Sequence, residues 1–257
     1  MSYLNKFLLK NKICLVTGGA GGIGLEICKA LLDAKSKVII ADIDENKSKK
    51  TINKFFKKNK NIEFAYMNAA SEKSIKDLKK YIIKKYKRLD VLVNAIGICH
   101  NKKAEKITNI EWNNVININL NSMFNICREF GKIFIKQKKG NIINIGSNSG
   151  VIVDKPQPQS SYNASKGAVH QLTKSLACEW ADHNIRVNAI APGYVATEMT
   201  LLGREKPEWF KFWIEMTPMK RLAKPSEIAS VALFLASESS SYCTGSIISV
   251  DGGYTSW

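Results

Sequence analysis

Apolar residues gather along this chain in short continuous runs, separated by longer stretches in which they recur every three or four positions. The runs ICLVT (13–17), KVIIAD (37–42), IEFAYM (62–67), DVLVNA (90–95), NIINIG (141–146) and IRVNAI (185–190) are rich in Val and Ile. That is the composition of strands buried on both faces. Between them the spacing turns helical, as where Ile75, Leu78, Ile82 and Tyr86 share one face of a Lys-rich stretch opened by Ser71, a good N-cap residue. Strands alternating with helices at this interval predict βαβ units and a parallel sheet covered by helices on both faces. No linker, repeat or low-complexity segment divides the sequence. The expected architecture is α/β, a single-domain doubly wound parallel sheet over residues 1–257.

Composition narrows the function classes. An apolar fraction of 45% is ample for a core, and the formal net charge of +17 raises nucleic acid or an anionic membrane as partner. The basic residues are mostly Lys, however, spread over nearly every expected helix beside abundant Asn and Ile. This is the pattern of a compositional bias, so the charge is expected to aid solubility and attract small anions, with no nucleic acid and no membrane as partner. Cys14, Cys28, Cys99, Cys127, Cys178 and Cys243 are scattered, without close pairs or metal-ligand spacing, which predicts reduced thiols and a cytoplasmic location. His100, His170 and His183 form no cluster in sequence, so no metal site is expected. The opening MSYLNKFLLKNK has an apolar run of only three residues, too short for a signal peptide or a membrane span.

The first strand runs into TGGAGGIG (17–24) and then a helical stretch. Glycines at a strand-to-helix turn let the backbone approach a pyrophosphate, with the helix N-terminus aimed at the negative charge. The next strand ends in Asp42, about 20 residues on, where a carboxylate binds adenosine ribose hydroxyls. The pattern predicts a dinucleotide site of Rossmann type. A carboxylate at Asp42 repels a 2′-phosphate, which favours NAD over NADP, although Lys47, Lys49 and Lys50 lie nearby.

The second chemical feature is YNASK (162–166), where Tyr162 and Lys166 stand at i and i+4 on one helix face. A neighbouring ammonium favours the phenolate, so the spacing predicts a Tyr162 lowered toward neutral pH and able to accept a proton. Two serines precede the pair. Ser147 follows directly on the strand NIINIG, at the carboxyl end where open α/β sheets bind ligands, whereas Ser149 sits two residues into the turn. A strand end positions a hydroxyl better than a loop does, so Ser147 is the working candidate and Ser149 the alternative.

These motifs together resemble the short-chain dehydrogenase/reductase family over essentially the whole chain. Thr17, Gly18, Gly22 and Gly24 fit its TGxxxGxG pattern, and the likeness continues through NAIG (94–97), YNASK, APGYVAT (191–197) and VDGGY (250–254). The resemblance implies an NAD(P)-dependent alcohol dehydrogenase/reductase with Asn119, Ser147, Tyr162 and Lys166 as catalytic residues. It further implies Gly18, Gly22, Ile23, Gly24, Asp42, Asn68, Asn94, Gly97, Val195 and Thr197 in cofactor binding, joined there by Tyr162 and Lys166. By the same likeness Lys166 bonds the nicotinamide ribose, Asn119 holds a water for proton relay, and Thr197 lies beside the carboxamide. Two positions depart from the family pattern: Ala95 replaces a second Asn, and Asn68 replaces an Asp against the adenine. The segment at about 197–224 corresponds to the family's substrate loop, where Trp209, Phe210 and Trp213 at helical spacing suit either packing or an apolar lid over the substrate. The loop PQPQSSYNASK and the ending VDGGYTSW resemble polyol and sugar dehydrogenases acting on sorbitol, mannitol, xylitol, arabinitol or gluconate, with Gln157 and Gln159 as candidates for extra hydroxyls. The alternatives are a 3-oxoacyl-(acyl-carrier-protein) reductase, whose acidic partner would suit the basic surface, and a non-catalytic dinucleotide sensor. The family also implies a homotetramer through residues 105–135, 160–182 and the C-terminal strand.

Overall fold

Every residue of β1 (Ile13–Thr17) is buried, and its side chains divide between two cores. Ile13 and Leu15 face one helical layer, and Cys14 and Val16 face the other. This alternation between two dry faces is why the run carries no polar period. The computed structural model describes residues 2–57, 59–201 and 206–257. Among them, β1 is joined by β2 (Lys37–Asp42), β3 (Ile62–Tyr66), β4 (Val91–Asn94), β5 (Gly140–Ile145), β6 (Ile185–Pro192) and β7 (Ile247–Val250). They form one sheet in the order β3-β2-β1-β4-β5-β6-β7, parallel throughout. The six sequence runs are the first six strands. The seventh, IISV, is too short and too near Gly and Ser residues to stand out by pattern.

One layer holds α1 (Gly22–Asp33) and α9 (Pro225–Ala236), which pack through Ile27, Leu31, Ile228 and Leu235. The other holds α3 (Glu72–Tyr86), α5 (Ser122–Gln137) and α6 (Ser160–Trp180). Ser71 caps α3 by accepting from the Ser74 N–H at 3.3 Å. The same helix turns Ile75, Leu78 and Ile82 into the core at 3% exposure or less. Side chains buried that far contribute roughly 1.5–3 kcal/mol each. The short α4 (Asn109–Ile116) runs into α5 through a π-helical segment, Asn117–Asn121.

Strand order reverses between β1 and β4, because the chain winds outward through β2 and β3 and then returns to the other side of β1. Helices cannot cover the sheet's carboxyl edge where the two windings part, and a crevice opens there. A cleft of about 540 Å³ occupies that position. No helix in the described residues is long and apolar enough to cross a membrane.

Candidate active site

At the cleft's first end the chain leaves β1 through Gly18, whose N–H bonds the Ala41 carbonyl at 2.8 Å with φ at +70°. A side chain is strained in that conformation, and its Cβ would lie 2.9 Å from the Ala95 carbonyl oxygen. Gly24 is required by proximity: a Cβ there would stand 2.3 Å from the Gly18 carbonyl oxygen. The N-cap of α1, Gly21, makes no side-chain cap bond, and the first turn carries no acidic residue. Its N–H groups are therefore left for an anion. Gly22, Ile23 and Asp42 line the same end. Asp42 accepts the Asp44 N–H at 3.1 Å, which turns the chain toward α2 (Glu45–Phe55). Together, the close backbone approach, the uncapped helix and the carboxylate at the cleft wall fit a dinucleotide.

Two expected cofactor residues are not brought to this wall. The Asn94 side chain is buried under the sheet edge, donating to Asn144 Oδ1 at 2.9 Å and Cys127 Sγ at 3.3 Å. Asn68 turns back on its own loop, accepting the Ala70 N–H at 3.0 Å, and borders a separate depression with Tyr66 and Tyr81. Of the three lysines beside Asp42, Lys49 pairs with Glu45 and Lys50 is exposed. Lys47 reaches across the cleft mouth to Glu198 of α7 (Glu198–Leu201) at 2.9 Å.

The expected catalytic residues meet where β5 and α6 adjoin. Ser147 stands two residues beyond β5 and lines the cleft together with Tyr162. Lys166 Nζ donates to the Ile145 carbonyl at 2.8 Å and lies 5.5 Å from the Tyr162 ring centroid. Gly97, Val195 and Thr197 complete this part of the wall. Asn119 sits within the π segment, fully buried, with Oδ1 accepting the Ile98 N–H at 2.8 Å. Its Nδ2 donates to the Ile98 carbonyl at 2.9 Å and Ser165 Oγ at 3.0 Å.

The electrostatics correct one expectation. Helical spacing does place Lys166 beside Tyr162, yet burial pushes the phenol up, outweighing the lowering by Ser147. Burial likewise pushes Lys166 down, to about 8. The ammonium is tied to a carbonyl over the ring rather than to the phenolic oxygen, and the packing around the two groups disfavours either charge.

Sequence reasoning also missed what surrounds Ser147. His170 lies buried behind it, its Nε2 accepting the Ser147 N–H at 3.5 Å. Burial and the Lys166 charge hold this imidazole down at about 4, so it stays neutral while clasping the turn. Ser147 Oγ lies 3.0 Å from Ser149 Oγ, and Ser149 donates to Asp154. Ser149 is thus linked to Ser147 rather than merely shaping the turn. Gln157 and Gln159 both line the cleft, but Gln157 is spent on bracing. It donates to the Tyr194 hydroxyl at 2.7 Å and accepts from Trp213 Nε1 at 2.9 Å. Trp213 of α8 (Pro207–Met216) stacks on Tyr194 with ring centroids 4.4 Å apart, and both line the cleft. Trp209 takes a different neighbour, Lys206, whose Nζ lies 3.9 Å from its ring centroid. Residues 202–205 of the expected substrate loop lie outside the described residues.

A family model described as Enoyl-(Acyl carrier protein) reductase matches residues 18–255. The chain belongs to the short-chain dehydrogenase/reductase family. As a member it is an NAD(P)-dependent oxidoreductase acting on CH–OH groups. It is similar to a galactitol 2-dehydrogenase (L-tagatose-forming) of Cereibacter sphaeroides, 43% identical with all of both chains covered. A 3-oxoacyl-(acyl-carrier-protein) reductase of Thermotoga maritima is 37% identical over 95% of this chain and 98% of its own. Among solved members, the crystal structure of gox2181 superposes with a TM-score of 0.98 at 44% identity over the whole of both chains. A gluconate 5-dehydrogenase from Burkholderia cenocepacia, in complex with NADP and tartrate, gives 0.94 at 28% identity, again over 100% of each chain.

Proposed function

We propose that the protein interconverts a secondary alcohol of a polyol or sugar with the corresponding ketone, using NAD in preference to NADP. The observation that carries this reading is the meeting of Ser147, Tyr162 and Lys166 in one cleft whose outer wall is polar, with Asn148, Ser149, Asp154 and Gln159 along it. The galactitol-dehydrogenase relative supports the polyol class, and Asp42 beside the glycine turn supports NAD. When bound, the oxidised nicotinamide supplies the hydride acceptor and a positive charge that favours the phenolate. Ser147 holds the substrate oxygen, and Tyr162 takes the hydroxyl proton during oxidation and returns it during reduction. Lys166 would donate to the nicotinamide ribose, and its ammonium favours the phenolate form of Tyr162 that takes the proton. Asn119 fixes the turn at Ile98, and its Oδ1 and the Lys166 Nζ flank Gly97, each within 3.6 Å of where a Cβ would stand. A water held between them would complete the path outward. Tyr194 and Trp213 exclude solvent from the substrate end.

A 3-oxoacyl thioester is the second reading, favoured by the Thermotoga relative and the basic surface. A panel of hexitols and pentitols with NAD, run beside an acetoacetyl thioester with NADPH, separates the two. We expect polyol oxidation with NAD, abolished in Tyr162→Phe while NADH binding persists. Turnover confined to the thioester and NADPH rejects the polyol reading, and full activity in Tyr162→Phe removes that residue from the chemistry. A cytoplasmic homotetramer belongs to the same reading, supported by exposed Ile110, Trp112 and Phe124 on the α4–α5 face.

A further inference from the structure

The outer wall of the cleft contains a carboxylate that the hydride and proton steps leave unused. Asp154 is 3% exposed, yet it borders the cleft, with one hydroxyl, that of Ser149, between it and Ser147. Its Oδ1 accepts from Asn148 Nδ2 at 2.8 Å. Its Oδ2 accepts from the Ser149 hydroxyl and from Gln159 Nε2 at 3.0 Å. The contacts that favour its charge are these three neutral donors, against which burial raises it to about 6. It is therefore mostly ionised at neutral pH. A buried carboxylate held by neutral donors alone is costly. Tying together Asn148, Ser149 and Gln159 needs no charge. A carboxylate offers about four acceptor sites, and three are filled here.

The surroundings say what suits the fourth. Burial raises Cys99 after β4, Tyr162 of α6, Tyr194 after β6 and Tyr254 near the C-terminus, and the Asp154 charge adds to the rise in each. Cys99, Tyr162 and Tyr194 line the cleft with Asp154, so its charge acts across the substrate end. Such a field favours a hydroxyl donor and opposes an anion. We propose that Asp154 determines substrate specificity: its carboxylate accepts a substrate hydroxyl one or two carbons from the reacting carbinol, and its charge turns away sugar acids. The inference rests on the polyol reading above and narrows it to neutral polyols.

The test compares kcat/KM for galactitol with that for propan-2-ol, which has no second hydroxyl, in wild type and in Asp154→Asn with saturating NAD. Loss of a charged acceptor is expected to lower the galactitol-to-propan-2-ol ratio roughly 10- to 100-fold, with gluconate gaining as a substrate. A merely structural Asp154 would depress both alcohols together, and an unchanged ratio overturns the proposal. Should the variant fail to fold, wild type alone decides: kcat/KM for gluconate is expected at least tenfold below that for galactitol, and parity overturns the proposal. Wild type inactive on every polyol overturns the polyol reading and this inference with it, whereas wild type active on polyols with a surviving ratio overturns the inference alone.

Discussion

Replacing Asp154 with Asn is expected to stabilise the protein at alkaline pH while impairing its selectivity. The native site raises this carboxyl from an ordinary 3.8 to about 6, so the folded state binds the proton more tightly than the unfolded chain. The sign follows directly: ionised Asp154 is a penalty fully present above about pH 6, shrinking as pH falls, and gone below the unfolded value. About two pKa units at ~1.4 kcal/mol each make that penalty about 3 kcal/mol at pH 8, with roughly half remaining at pH 5. The amide removes it but turns an N–H₂ toward Gln159 Nε2 and Ser149 Oγ, which costs about 1 kcal/mol. The variant should therefore be about 2 kcal/mol more stable than wild type at pH 8 and nearly equal to it at pH 5. Urea denaturation followed by tryptophan fluorescence, at equal protomer concentration and without cofactor, measures both. A variant less stable than wild type at pH 8, or a difference independent of pH, would refute the reasoning.

Two other substitutions test the cofactor end and the serine pair. Gly24→Ala places a methyl 2.3 Å from the Gly18 carbonyl oxygen, so the turn must open and NADH affinity should fall at least tenfold in a fluorescence titration, with secondary structure by circular dichroism retained. Ser147→Ala should lower kcat about 10²-fold or more, the scale of losing one oriented donor. Ser149→Ala should cost about tenfold, since its hydroxyl joins Ser147 to Asp154; equal losses at the two positions would mean that the assignment of Ser147 to the substrate oxygen is wrong.

The strands and the cofactor turn were legible because their causes are local. Continuous Val and Ile runs mark strands with two dry faces, and Gly18, Gly24 and Asp42 sit at fixed offsets from β1 and β2. The Tyr162–Lys166 spacing was equally plain, but its electrostatic outcome was not. Spacing shows which groups are neighbours, while desolvation depends on everything packed around them. Asp154 and His170 were invisible for a related reason. Both act on the turn at Ser147 through contacts that form only when the loop after β5 folds against α6. The motif around Asn94 shows that it lies at a strand end beside the cleft, but not that its side chain donates to Asn144 under the sheet.

The π segment at Asn117–Asn121 has a bearing on how this sequence can change over time. A helix advances about 100° per residue, so the widened turn lets α4 and α5 keep different rotational phases along one rod. Asn119 meets Ile98 from within that phase break, and Phe130 and Phe134 meet the sheet beyond it. Trimming the rod to uniform pitch by deleting one residue would swing one of those two sets away from its partner. Point substitutions in this rod can therefore accumulate gradually, but its length cannot drift by single residues, and an indel here must be matched by a second one before the protein works again.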